Sequence, residues 1–246
     1  MRLAVDLIQK SGINSIFFDL DGTLRHNRPS FIEALTDFTQ ELGIPGENDN
    51  NRQAHRWLHY YWAQSPELIS DQEVFGKNDD LFWINHSRLY LLACGCQPKQ
   101  ALQKAPSLTQ CMRESYNPED TLADEVPNLL ENLKTNGFRL AVVSNRRNSF
   151  DEQLETLGIS PYFEYSLAAG AINAWKPDPA IFQHALAKME IEPGQAVYVG
   201  DNYFADVIGA QGAGIQAVLI DPEGLFPEAD CPVIQKISEL KFVLDQ

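Results

Sequence analysis

The chain has 246 residues, 44% of them hydrophobic, with a formal net charge of −15 and a pI near 4.6. That is enough apolar material for one large α/β domain or a core with an insertion. The acidic balance argues against a general nucleic-acid or anionic-membrane surface, which needs clustered Lys and Arg.

Taken in order, Leu3–Lys10 carries an amphipathic helical pattern of mixed period, and nothing in the first residues resembles a secretory signal. Ile16-Phe17-Phe18 is a short buried-strand signal that runs directly into Asp19-Leu20-Asp21-Gly22-Thr23-Leu24. Ser30 with Glu33 three residues on predicts a capping box, opening a helix through Phe31, Leu35, Phe38 and Leu42 that Gly43 and Pro45 stop. From there to about Tyr116 the pattern is helical and rich in aromatics, among them Trp57, Tyr60, Tyr61, Trp62, Phe75, Phe82, Trp83 and Tyr90. Such a stripe reads as helical core. His55 and His59 share a helix face at i, i+4 but have no carboxylate or cysteine to complete a metal site, so these and His86 read as structural or surface histidines.

After Asn117-Pro118-Glu119-Asp120 the composition changes to alternating strands and helices. A helix with Pro127 near its start and Gly137 past its end leads into the strand Leu140–Val143, which ends in Ser144-Asn145. Then come a helix over about Ser149–Leu157, a strand near Tyr165–Ala168, a loop with Trp175-Lys176-Pro177-Asp178-Pro179, and a helix over Ala180–Met189. The strand Ala196–Val199 runs into Gly200-Asp201, a helix starts near Phe204, and Ala217–Ile220 is a last strand. This alternation predicts a doubly wound parallel sheet. No apolar run approaches the ~20 residues of a membrane span. Cys94, Cys96, Cys111 and Cys231 are too few and too irregular for a disulfide framework. Reduced thiols and a cytoplasmic location are expected.

In an open α/β sheet, ligands bind beyond the carboxyl ends of the strands, where Asp19, Asp21, Ser144, Asn145, Asp201 and Asp206 all fall. Asp19 is placed to attack phosphorus, splitting an ester hydrolysis into formation and breakdown of an aspartyl phosphate. Asp21 is the candidate acid and base for the leaving alkoxide and the incoming water. Two carboxylates repel a phosphate, so compensating cations are required. Asp19, the backbone carbonyl of Asp21, and Asp201 are hard oxygen ligands suited to Mg²⁺, with Asp206 orienting its surroundings. Lys176, in a loop pinned by two prolines, supplies a second positive charge, while Ser144 and Asn145 offer hydrogen bonds to the phosphate.

The four motifs Asp19-Leu20-Asp21-Gly22-Thr23-Leu24, Ser144-Asn145, Lys176-Pro177-Asp178-Pro179, and Gly200-Asp201 with Asp206 occur in the order of the haloacid dehalogenase (HAD) superfamily, which this sequence resembles from about Ile13 to Ile220. The resemblance implies a Rossmann-like core (1–27 and 119–246), an inserted all-helical C1-type cap (28–118), and Mg²⁺-dependent phosphomonoester hydrolysis by way of an aspartyl phosphate. Asp21 argues against a true dehalogenase, which has no use for an acid there. A HAD-type phosphomutase is the alternative within the superfamily, and a non-catalytic receiver-like phosphoacceptor the alternative outside it. The run Thr23-Leu24-Arg25-His26-Asn27-Arg28-Pro29, basic and polar where many members carry an acid, and Ala169-Gly170 before the lysine loop resemble the branch acting on FMN, nucleotide or sugar-acid phosphates. The expected partner is a small phosphate ester, with neither nucleic acid nor membrane involved and with the chain a monomer or homodimer. Arg25, His26 and Arg28, with Arg146 and Arg147, are expected to border the site and to receive a second anionic group of the substrate.

Overall fold

Ser15–Phe18 (β1) is buried at all four residues, because the parallel sheet around it is covered on both faces. In this computed structural model, which describes residues 12–44, 46 and 48–244, Met1–His26 and Thr121–Gln246 form one compact unit and Asn27–Asp120 a second. The helix expected over Leu3–Lys10 lies outside the described residues, as does Pro45.

In the second unit, Ser30 accepts from the Glu33 N–H while the Glu33 carboxylate accepts from the Ser30 N–H, so the capping box forms and opens α1 (Phe31–Glu41). Four further helices follow: α2 (Asn48–Trp62), α3 (Pro66–Phe75), α4 (Asp79–Ala93) and α5 (Pro98–Ser115). Leu35, Leu58, Tyr90, Leu91, Ala101 and Leu108 form the core shared by α1, α2, α4 and α5. His86 is buried within 6.0 Å, ring to ring, of Phe31, Trp57, Tyr61, Trp62 and Trp83. The His55 ring meets the Thr36 hydroxyl at 3.2 Å. Neither His55 nor His59 belongs to a metal-ligating cluster among the described residues.

The polar segments flanking this unit hold two strands that the sequence does not signal, Arg25–Arg28 (β2) and Glu119–Leu122 (β3), which pair as a separate two-stranded ribbon. Neither alternates apolar with polar residues, so backbone pairing rather than side-chain burial defines them.

In the first unit α6 (Val126–Thr135), β4 (Arg139–Ser144), α7 (Asp151–Thr156), β5 (Tyr165–Ala168), α8 (Pro179–Met189), β6 (Ala196–Gly200), α9 (Ile208–Gly212), β7 (Gln216–Ile220), β8 (Val233–Ile234) and α10 (Leu240–Leu244) complete the fold. The sheet order is β5-β4-β1-β6-β7-β8, every pair parallel. Alternate residues serve opposite faces. Ile16, Phe18, Val142 and Val199 pack with Leu130 of α6 and Leu240 of α10, while Phe17, Val143 and Tyr198 pack with Phe182 and Ala185 of α8. The result is the doubly wound α/β sheet the sequence predicts. Because β4 and β6 flank β1 on opposite sides, the chain reverses direction there and leaves a crevice at the strand tips. No helix among the described residues is long and apolar enough to cross a membrane.

Candidate active site

Asp19 stands one residue beyond the parallel register that pairs Phe18 with Val142 on one side and with Val199 on the other. Its N–H donates to the Val199 carbonyl at 2.9 Å, which carries the ladder one step past β1. The chain then turns sharply: Leu24 and Arg25 both donate backbone N–H groups to the Leu20 carbonyl. Gly22 sits at φ +86°, and a Cβ there would lie 2.2 Å from Asp201 Oδ2. Only glycine allows both this conformation and so close an approach to the tip of β6.

Lys176 is buried, and its ammonium donates to Asp19 Oδ1 at 2.5 Å, Asp206 Oδ1 at 2.6 Å and the Tyr198 hydroxyl at 2.9 Å. Three acceptors match its three protons. The loop carrying it is held by Asn145, whose Oδ1 accepts from the Lys176 N–H at 2.6 Å and whose Nδ2 donates to the Lys176 carbonyl at 2.9 Å. Asn145 thus spends its side-chain amide on the lysine loop. Ser144 is buried at the end of β4, level with Ala168.

Past β6 the structure differs from the helix expected from Phe204. Tyr203–Val207 forms a π-helical turn before α9, and the Asn202 side chain accepts from the N–H groups of Phe204 and Ala205. The wide turn lets Asp206 fold back, so that Oδ2 accepts from the Asn202 N–H at 2.9 Å while Oδ1 meets Lys176. A Cβ at Gly200 would lie 2.3 Å from Asp206 Oδ2, so glycine makes room for that return.

Ligand oxygens of Asp19, Asp201 and Asp206 lie within 4.8 Å of one another. Burial pushes the Asp19 carboxyl up to about 7, against the pull of Lys176 and with a further push from Asp206 and Asp21. Burial, with the Asp19 and Asp206 charges behind it, raises Asp201 well above the usual carboxylate range. Burial alone would lower Lys176, but Asp19 and Asp206 carry it well above its ordinary value. Three carboxyls share one ammonium, so burial and mutual repulsion hold Asp19 and Asp201 toward their protonated forms until a further cation balances them. The donor set, all hard oxygen, fits a divalent cation such as Mg²⁺.

Asp21 points into a different set of contacts. Its Oδ1 accepts from Arg25 Nη1 at 2.8 Å and Arg146 Nη2 at 2.7 Å, and its Oδ2 accepts from Arg146 Nε at 2.7 Å. Arg146 also donates to Gln153 and lies 5.9 Å from the Phe150 ring centroid. Two of the five basic residues expected to await a substrate anion are therefore engaged by a carboxylate of the site itself, while Arg28 and Arg147 are exposed.

Sequence reasoning missed Tyr198 and this Arg146–Asp21 fork. Tyr198 had a signal: a phenol in a strand buried on both faces needs partners, and it finds Lys176 and the Val143 carbonyl, the latter at 2.7 Å. Arg146 had none, because its partner lies 125 residues away.

The haloacid dehalogenase-like hydrolase family matches residues 13–214. The chain is 30% identical over 217 residues to the human haloacid dehalogenase-like hydrolase domain-containing protein 3, covering 87% of this chain and 85% of that one. It is 28% identical over 248 residues to a glyceraldehyde 3-phosphate phosphatase of Methanothermobacter thermautotrophicus, covering 94% and 100%. Among solved structures, a HAD phosphatase from Thermococcus onnurineus superposes with a TM-score of 0.55 at 25% identity, covering 94% of this chain and 98% of that one.

Proposed function

Because the chain belongs to the haloacid dehalogenase-like hydrolases and is a hydrolase of phosphoric monoesters, we propose that it removes phosphate from a small phosphorylated metabolite through an aspartyl-phosphate intermediate on Asp19. The observation that carries this is the buried Lys176 bridging Asp19 and Asp206 at the tip of β1. The lysine uses Oδ1 of Asp19, leaving Oδ2 to attack phosphorus. Membership in a hydrolase family sets aside the non-catalytic acceptor.

Asp19, the Asp21 carbonyl and Asp201 would hold Mg²⁺, and the fit rests on the clustered carboxylate oxygens. Asp206 has both oxygens committed, to Lys176 and to the Asn202 N–H, so it orients the lysine rather than binding metal directly. When bound, the cation supplies Lewis-acid stabilisation of the phosphoryl oxygens. Lys176 balances the Asp19 charge and the charge that develops on phosphorus, and the Ser144 hydroxyl takes a phosphate oxygen. Asn145 fixes the loop that presents the lysine.

In the first half-reaction the Asp19 Oδ2–phosphorus bond forms, the ester P–O bond breaks, and Asp21 gives the leaving oxygen its proton. In the second, Asp21 takes a proton from water as that water attacks phosphorus, releasing inorganic phosphate and restoring Asp19. The helical unit, about residues 28–118, serves as the cap and sets specificity within the class of FMN, nucleotide and sugar-acid phosphates. Free cysteines and the acidic surface suit a cytoplasmic monomer or homodimer.

Asp19→Asn tests the mechanism. An amide is neither a competent nucleophile nor an anionic ligand, so turnover of an aryl phosphate should fall by about 10³-fold or more with the circular-dichroism spectrum unchanged. Activity within a few-fold of wild type would exclude covalent catalysis.

A further inference from the structure

We propose that Arg146 is a substrate-operated latch on Asp21, and that the preferred substrates are phosphomonoesters carrying a second anionic group, carboxylate or phosphate, which takes the arginine fork and frees Asp21 for proton transfer. This rests on the role of Asp21 given above. The geometry is a fork: Nε and Nη2 of Arg146 meet the two oxygens of Asp21, each at 2.7 Å, and Arg25 adds a bond to Oδ1 at 2.8 Å.

A carboxylate so held has both oxygens turned to guanidinium groups. To serve the leaving oxygen of an ester, at least one oxygen must come off its arginine and take up a proton from solvent, which it then gives to that oxygen. Oδ2 is the one that Arg146 alone holds, so withdrawal of Arg146 frees it while Arg25 keeps Oδ1 in place. A bidentate arginine–carboxylate pair is among the strong, geometrically specific ion pairs, and an anion of similar shape competes for the same fork. A carboxylate or phosphate on the substrate is such a replacement. The exchange is neutral in its contacts, since the guanidinium leaves one oxyanion for another.

Arg146 is suited to move. It follows β4 directly, in the stretch between Ser144 and α7, and its side chain is 28% exposed, against 3% for Lys176. Two further contacts, with Gln153 and the Phe150 ring, are made to the following segment. The two cations of the site thus differ in kind. Lys176 is fixed by three buried acceptors, whereas Arg146 closes a half-exposed pair.

The expected signature is in kcat rather than in KM alone, because the second anion acts by releasing the proton-transfer group and not only by adding binding energy. The test uses matched esters, 3-phosphoglycerate against glycerol 3-phosphate and adenosine 3′,5′-bisphosphate against adenosine 5′-monophosphate, with 4-nitrophenyl phosphate as a third substrate whose leaving group needs no proton. In the wild type, kcat for the anion-bearing member of at least one pair should exceed that of its partner tenfold or more. Arg146→Ala should lower kcat for the anion-bearing ester and raise it for the plain one, bringing the ratio within about twofold. Arg146→Lys, which keeps the charge but loses the fork, should fall between. A loss equal for both members, a ratio unchanged in Arg146→Ala, or no preference in the wild type would overturn the latch. Failure of the wild type to turn over 4-nitrophenyl phosphate would instead strike the phosphatase mechanism itself, and so separates the two.

Discussion

Lys176 shows how one side chain fixes a site. Its ammonium is buried, which is costly unless each proton has an acceptor, and Asp19, Asp206 and Tyr198 provide one each. Tyr198 is the neutral member: its hydroxyl accepts from Lys176 and donates to Val143, tying the lysine to the edge of β4. Tyr198→Phe removes one acceptor from a buried charge and one donor from a buried carbonyl. The expected cost is about 1–3 kcal/mol of stability, measured by urea denaturation, with kcat reduced several-fold as the ammonium loses its aim. If both stayed at wild-type values, Tyr198 would be core packing only.

At the level of elements, the helical unit is organised around a histidine rather than a leucine. His86, on α4, is 1% exposed, and burial pushes its imidazole down to about 3. It is therefore neutral when folded and takes up a proton near its ordinary pKa of ~6.5 only when unfolded. The unfolded state binds this proton across that interval, so the His86 contribution to stability is complete above about pH 6.5 and declines as pH falls toward 3, by at most about 1.4 kcal/mol per pH unit. Trp57, Trp62 and Trp83 surround this ring, so tryptophan emission during denaturant unfolding reports on it directly. Between pH 6.5 and 5, before most carboxylates titrate, His86→Phe should flatten the pH slope. An identical slope in the variant would place the acid sensitivity elsewhere. A cavity of about 320 Å³ lined by Phe31, Trp83, His86, Met112 and Tyr116 lies in the same unit.

For the molecule as a whole, net charge and local charge point the same way: an acidic chain concentrates three carboxylates in one crevice. Burial and mutual repulsion hold the Asp19 and Asp201 carboxyls toward protonation, which costs the metal-free fold stability, and a bound divalent cation relieves it. Mg²⁺ in excess should raise the wild-type Tm, EDTA should reverse the gain and abolish turnover, and Ca²⁺ should bind without restoring activity, because its looser coordination misplaces the reacting atoms. Asp201→Asn should raise the Tm of the metal-free protein, because a neutral amide escapes the cost of holding the Asp201 carboxyl protonated against burial and its neighbours, and should lose the Mg²⁺ response. A full Mg²⁺ shift in that variant would remove Asp201 from the ligand set.

Much of this was legible in the linear chain, because the signals are local. The capping box at Ser30 and Glu33, the apolar runs of β1, β4, β6 and β7, and the polar residues at their ends depend on neighbours a few residues apart. Strand and helix alternation then dictates a parallel sheet, and a parallel sheet carries its chemistry at the carboxyl ends. The ribbon of β2 and β3 left no such trace, since polar strands that pair outside a core carry no hydrophobic period. Nor did the partners of the charged groups. Arg146 reaches Asp21 across 125 residues, and Lys176 reaches Asp19 across 157. Those pairings depend on which strands stand side by side and in what register, properties of the assembled sheet that no local pattern encodes. The sequence by itself determined which residues are the candidates for the chemistry, because they stand where local patterns end strands; only the tertiary structure decided that Asn145 holds the lysine loop, that Tyr198 completes the lysine's contacts, and that two arginines turn inward onto Asp21.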